Sequence, residues 1–493
     1  MALIDRSVTR RAFLLWAGGI GAGAALAACS SAAPAAPAGA PASGQSTSSQ
    51  PASNQTAPQP TTAAAPAQQP AASAGVVEIR FQSRGGNDLL KIAQDLAKEF
   101  EKSHPNIKIK NDHTNGDHFQ KVLTEVAAGN PPDAYHDASV RTGGLGWKKK
   151  IIVDLEPYLK GDKRFNDEDH IPGAWLTEIY DHRRTAVAYD SGAMALLFNI
   201  DLFNAANVPL PDPKKRMTWD EVQEKAIKLT LDLNGKHPGE SGFDPTRIKQ
   251  YGFNPTTVHG HEHWFYNVGG EIIDENGKVA PVMTKPETIE GYQKLADWGA
   301  KLFVAPSPAY KQTQPIAFTS GNVAMEENGV WMLGRTNEVI KNWGVAPFPT
   351  QKVPVSYGQY SGQVMTQLSK HKDQTWEWMY WVSLSKEGQT FLTDAVLLQP
   401  TRKDLQDYFV NHDKSPAKEY RQVFVDELNN GQTLKWPGMA QQNFYLGYRQ
   451  YWIDAFGPMY DAVTRGKTQY KDIAADVAKK MDTILETGQP ATS

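Results

Sequence analysis

The run His259-Gly260-His261-Glu262-His263-Trp264 sets three histidines at alternate positions. On an extended strand His259, His261 and His263 point to one side and Glu262 to the other. Neutral imidazoles suit zinc, copper or nickel, but a structural site needs a further ligand, and the sequence places none. The run is not a metalloprotease helix either, because HExxH starting at His261 needs histidine at position 265, which is Phe265. It reads as three polar residues on a loop, and no metal is assigned. Other chemistry is equally unsupported. The chain lacks a GxSxG elbow, a GxxxxGK[ST] phosphate loop and a GxGxxG fingerprint. Its one cysteine, Cys29, excludes a disulfide framework and any CxxC metal site. The 54 Asp and Glu residues could include a glycosidase pair, but carboxylates spaced for that work cannot be located from sequence. No catalytic residue and no cofactor is assigned.

Cys29 has a positive reading instead. Residues 1–28 carry Asp5, Arg6, Arg10 and Arg11, then an uncharged stretch from Ala12 to Ala28 interrupted by four glycines. That stretch is short and Gly-rich for a membrane span, which takes about 20 strongly apolar residues, and it suits a signal peptide. Thr9-Arg10-Arg11-Ala12-Phe13-Leu14 resembles a twin-arginine export signal, and Leu26-Ala27-Ala28-Cys29 resembles a bacterial lipobox, in which the cysteine is acylated and becomes the mature N-terminus. Residues 1–28 are read as the signal peptide. Residues 29–75 are read as a lipid-anchored tether, since Ser30–Gly75 contains no charge, no aromatic and no Val, Ile, Leu or Met. Such a segment cannot bury enough apolar surface to offset its conformational entropy, and as a coil it reaches roughly 40 Å.

The rest of the chain must position whatever binds. Its 493 residues exceed a single core, and a net charge of −3 argues against a nucleic-acid partner. Val76–Phe81 reads as a strand. Arg84-Gly85-Gly86-Asn87 turns into a helix with Leu89, Ile92, Ala93, Leu96 and Phe100 on one face. Ile107–Lys110 is a second strand, and Phe119, Val122, Leu123 and Val126 mark a second helix. This βαβ alternation predicts a mainly parallel sheet covered by helices, with ligands beyond the C-terminal ends of strands. Arg84 and Asn87 fall at such an end, as do His136 and Asp137. Thr218-Trp219-Asp220-Glu221 is a capping box opening a helix, and Pro286–Phe303 and Asp472–Leu485 are further helices.

Several segments together resemble the extracellular solute-binding proteins of ABC importers, the cluster that includes maltose-binding protein. They are Phe100–Ile109 (FEKSHPNIKI), Ala127–Asp133 (AAGNPPD), Leu197–Val208 (LLFNIDLFNAANV), Thr218–Glu221 (TWDE), Ala317–Trp331 (AFTSGNVAMEENGVW), Trp343–Pro349 (WGVAPFP) and Leu398–Lys403 (LQPTRK). The resemblance implies an α/β, two-lobe periplasmic-binding-protein fold of the type II kind, with three hinge crossings and a ligand cleft between the lobes. The crossings would fall near Ala188–Met194, Ser356–Val364 and Leu398–Arg402. One lobe would hold 76–188 and 364–398, the other 195–355 and 403–490. It also implies a cleft aromatic at Trp331, hinge-strand residues Asp190 and Ser191, second-crossing residues Gln359, Tyr360 and Ser361, and a further aromatic near Tyr445. Asp190 is open to two roles, accepting solute hydroxyls or capping its own turn. Trp264 offers a secondary sugar platform.

The implied function is a lipoprotein that captures a sugar or oligosaccharide and delivers it to ABC permease transmembrane subunits. It would act as a monomer outside the cytoplasm, held on a bacterial membrane through acylated Cys29. The alternatives are a receptor for a sugar phosphate or glycerophosphodiester, and a secreted, lipid-anchored polysaccharide hydrolase.

Overall fold

The computed structural model describes residues 75–487, apart from 116–117, 138–145, 148, 172–178, 181–182, 256–266, 271–273, 275–277, 308–315, 354–357, 360 and 430–448. Two sheets organise the chain. The first has the order β2-β1-β3-β13-β6, built from β1 (Val77–Arg84), β2 (Ile107–Thr114), β3 (Ala134–Asp137), β6 (Val187–Ala188) and β13 (Gly362–Met365). A separate two-stranded hairpin joins β4 (Ile179–Tyr180) to β5 (Arg183–Arg184). The second sheet has the order β11-β7-β10-β9-β8, with β12 paired to β7. Its members are β7 (Gly192–Asn199), β8 (Leu231–Asp232), β9 (Ile248–Asn254), β10 (Val323–Gly329), β11 (Trp343–Ala346) and β12 (Gly358–Gln359).

Neither sheet is mainly parallel, which corrects the expectation from βαβ alternation. In the first, β1 runs parallel to β2 and β3, but β13 is antiparallel to both β3 and β6. In the second, β7 is antiparallel to β10, β11 and β12, and only β9 and β10 are parallel. The local alternation specifies the helix-linked strands. It says nothing of a strand such as β13, which enters the first sheet after an excursion of more than 160 residues.

Helices cover both sheets. Helix α1 (Asn87–Ser103) buries Ala93, Leu96, Ala97 and Phe100 against the first sheet, and α2 (His118–Ala127) buries Val122. Helices α5 (Lys372–Ser383) and α6 (Lys386–Val396) complete that lobe. Phe81, Phe100, Trp378 and Trp381 form its aromatic centre, with Trp378 5.4 Å from Phe81 and 5.2 Å from Phe100 between ring centroids. Around the second sheet, α3 (Trp219–Leu229) is opened by the predicted capping box: Thr218 Oγ1 accepts from the Glu221 N–H at 3.1 Å, and Glu221 accepts from the Thr218 N–H at 2.6 Å. Helix α4 spans Pro286–Ala300, three residues shorter than the sequence pattern suggests, and Phe303 sits at φ 55°. Helices α7 (Lys418–Asn429), α8 (Arg449–Thr464) and α9 (Tyr470–Thr487) finish the lobe. All eight residues of β7 are buried. A strand enclosed on both faces needs such a continuous apolar run.

The chain passes between the two sheets at three adjoining places. It leaves β6 at Ala188 and enters β7 at Gly192, then returns from β12 at Gln359 to β13 at Gly362. The third passage runs from α6 through Leu397–Arg402, where Leu397 caps α6 with φ 54°. Backbone hydrogen bonds tie these passages together. Tyr189 N–H donates to Ser361 O at 2.8 Å and Ser191 N–H to Gln399 O at 2.9 Å. No helix among the described residues is long and apolar enough to cross a membrane.

Candidate site: the cleft at the crossings

A cavity of about 610 Å³ opens beside the three passages. Arg84 and Leu89 reach it from the β1–α1 turn, and His136 from the end of β3. Tyr189, Asp190 and Ser361 form its hinge side, and Trp331, Arg335 and Lys341 its far wall. The turn depends on Gly85, which has φ 107° and whose missing Cβ leaves room for Leu89.

Trp331 follows β10 in a single 3-10 turn, Val330–Met332. Its indole lies over Gly329, so closely that a Cβ on Gly329 would occupy the ring. The preceding strand is held by Glu326, whose carboxylate accepts from Asn254 Nδ2 at 2.5 Å, Asn328 Nδ2 at 2.7 Å and the Phe318 N–H at 2.9 Å. Here a glycine and a fixed buried strand set the pose of an amphipathic ring at a cavity wall.

The hinge side is polar and largely buried. Asp190 Oδ1 accepts from the Ser361 N–H at 2.6 Å, and the residue is 7% exposed. Burial pushes its carboxyl up to about 7, against the opposing pull of the Ser361 N–H and the Arg84 charge. His136 packs edge-on against Tyr189, with 4.6 Å between ring centroids. Burial first, then the charges of Arg84 and His118, hold the imidazole well below its usual range, so it is neutral at pH 7. Its Nε2 is buried without a hydrogen-bond partner among the described residues, and so is Arg84 Nε. Burial also raises the Tyr189 phenol. The cavity therefore offers a flat aromatic face, a neutral imidazole, a guanidinium and a carboxyl with a proton to share, arranged around apolar Leu89, Leu397 and Leu398. That is chemistry for recognising a small polar solute.

The residues expected from sequence separate into groups. Arg84, Asp190, Trp331 and Ser361 converge on the cavity. Ser191 does not line it: its hydroxyl donates to Gln399 O at 3.1 Å and Pro400 O at 2.9 Å, and the residue is fully buried. Asp190 accepts from the Ser361 N–H of another chain passage rather than capping its own turn, and it also lines the cavity. Asp137 is buried, with Oδ1 3.4 Å from Nε2 of His118 at the start of α2. Asn87 is exposed as the first residue of α1 and lies off the cavity. Gln359 pairs through its backbone with Gly192 in β12. Its side chain, together with Tyr360, Trp264, Tyr445 and the histidines 259, 261 and 263, lies outside the described residues. Tyr189, Arg335, Lys341 and Lys414 also line the cavity. Tyr189 was legible only as a neighbour of Asp190, and the three cations have no sequence signature, because charged residues on short helices and loops are ordinarily solvated.

The sequence model of bacterial extracellular solute-binding proteins matches residues 86–390. The maltotriose-binding protein of Pyrococcus abyssi is 25% identical over 310 residues, which is 60% of this chain and 60% of that protein. An uncharacterised lipoprotein of Streptomyces antibioticus is 28% identical over 158 residues, 32% of this chain and 34% of that protein. The chain thus spans 60% or less of the length of these curated relatives. An ABC substrate-binding protein of Listeria monocytogenes, solved in complex with cycloalternan, shares the fold with a TM-score of 0.71 at 20% identity, over 83% of this chain and 99% of that one. Two lobes around a polar, aromatic-walled cleft, and a family match over most of the folded body, place this chain in the bacterial extracellular solute-binding protein family.

Proposed function

We propose that the chain is the extracytoplasmic receptor of an ABC importer for a carbohydrate, captured by closure of the lobes and handed to the permease transmembrane subunits. Trp331 carries the reading. An indole packed against Gly329 at the cavity wall suits the apolar face of a pyranose, and Asp190, His136 and Arg84 nearby suit its hydroxyls. Contacts to both walls exist only when the lobes close, so the solute stabilises the closed form by its differential affinity. The lobes are 76–188 with 364–398, and 195–355 with 403–490. Residues 1–28 are a signal peptide, Cys29 carries the lipid, and residues 29–75 are the tether that lets a monomer reach the permease. The protein changes no bond in its solute.

Calorimetry of the full chain with a panel of saccharides tests this. A ligand at about 100 times its Kd also adds about 2.7 kcal/mol of stability. Trp331→Ala should weaken binding by about 2 kcal/mol, roughly thirtyfold. Time-dependent product from any saccharide, or an unchanged affinity in Trp331→Ala, would refute the reading.

A further inference from the structure

The charges around the cavity are unbalanced. Arg84, Arg335, Lys341 and Lys414 line it, against the carboxyls of Asp190 and Glu338. Among the described residues Arg84, Lys341 and Lys414 have no carboxylate within ion-pair distance. Lys341 Nζ donates to the Asn337 carbonyl at 3.2 Å and Lys414 Nζ to the Asp394 carbonyl. Backbone carbonyls solvate an ammonium but leave its net charge in place. Arg84 is the most exacting of the four. It is half-buried, comes off the end of β1 into the cavity, and its Nε is buried with nothing to donate to. A guanidinium left in that state is costly unless a ligand completes it, and its fork matches a carboxylate or phosphate. Asp190 is the carboxyl closest in kind to a partner. Its Oδ1 is already taken by the Ser361 N–H, and burial leaves it only partly ionised near pH 7. Arg84 and Asp190 influence each other electrostatically without forming an ion pair.

We propose that the captured carbohydrate is acidic, and that Arg84 receives its anionic group, a carboxylate as in a uronic acid or a phosphate ester as in a sugar phosphate. The inference rests on the carbohydrate reading above and narrows it. Trp331 holds the ring, Arg84 the anion, and the surplus of positive charge at Lys341 and Lys414 draws the solute in.

The test is calorimetric titration of the full chain with three probes: a neutral maltotriose, a galacturonate oligomer of the same length, and glucose 6-phosphate. Each is measured at 50 and 500 mM NaCl, for the wild type and for Arg84→Gln and Arg84→Lys. The expected result is that at least one acidic probe binds more tightly than maltotriose and loses affinity at high salt. Which acidic probe wins separates the carboxylate from the phosphate. Arg84→Gln should weaken that probe roughly 10- to 100-fold, with Arg84→Lys in between. Melting temperatures establish that the variants are folded, and the salt response of the wild type stands even if they are not. Tighter binding of maltotriose than of both acidic probes, or salt-independent binding of the acid, would overturn the inference while sparing the carbohydrate reading. If no saccharide of either kind binds, the carbohydrate reading fails and the inference falls with it.

Discussion

Replacing Asp190 by Asn should make the protein more stable above neutral pH and leave it unchanged in acid. The carboxyl sits 7% exposed at the junction of two chain passages, accepting from the Ser361 N–H at 2.6 Å. Burial pushes it up to about 7, while in the unfolded chain an aspartate titrates near 4. The folded state therefore binds the proton more tightly, by roughly 4 kcal/mol at 1.36 kcal/mol per pH unit. Below about pH 4 both states are protonated and the group costs nothing. Between about 4 and 7 only the folded state holds the proton, so stability falls as pH rises, and above 7 the whole cost is present. Local relaxation and water entry reduce that figure, which leaves an expected difference of about 2–4 kcal/mol at pH 8. The Asn amide oxygen can still accept from the Ser361 N–H, so the hinge bond survives. Urea unfolding of wild type and Asp190→Asn from pH 4 to pH 8 measures the effect. Glu427, also buried, pushed up to about 7 and 2.8 Å from Arg216, contributes in both proteins and cancels. Superimposable pH profiles would show that Asp190 ionises freely and that the hinge side is not dry.

Gly329→Ala should displace the Trp331 indole, cost about 1–3 kcal/mol from overpacking and weaken saccharide binding as Trp331→Ala does; tryptophan fluorescence and calorimetry read both effects. Trp378→Ala, fully buried between Phe81 and Phe100, should cost about 3–5 kcal/mol in urea unfolding without changing the affinity of the protein that remains folded. Cys29→Ser should move the protein from the membrane fraction to the soluble extracytoplasmic fraction, since no acyl chain can then be attached; persistence in the membrane fraction would remove Cys29 as the anchor.

Much of the architecture could be read locally. Helix α1 shows its buried face in Ala93, Leu96 and Phe100, and the Thr218–Glu221 box opens α3 as its spacing predicts. These features depend on neighbours within four residues, so periodicity and capping chemistry reveal them. Strand direction did not follow, because β13 pairs with β3 across a separation that no local pattern encodes. Site residues divide along the same line. Arg84 and His136 were marked by their place at strand ends, while Lys341 and Lys414 look like any solvated surface lysine until the lobes are assembled. Asp137 stands at a strand end too, yet it is buried beside His118 of α2, a contact no local pattern encodes.

The chemical means of this protein are written in its sequence: one cysteine beside a small-residue site, a 46-residue stretch with nothing to bury, and a body of alternating strands and helices. Those are properties of composition and of short-range pattern, and they need no partner from elsewhere in the chain. Tertiary structure alone decided that Tyr189, Ser191, Ser361 and Gln399 meet at one hinge. It also decided that Trp331 rests on Gly329 in the same cavity as Arg84, and that among the described residues four cations share that cavity with two carboxyls. Such convergence comes from passages more than 160 residues apart lying side by side, and it is the burial they create that moves Asp190 and His136 away from their solution behaviour.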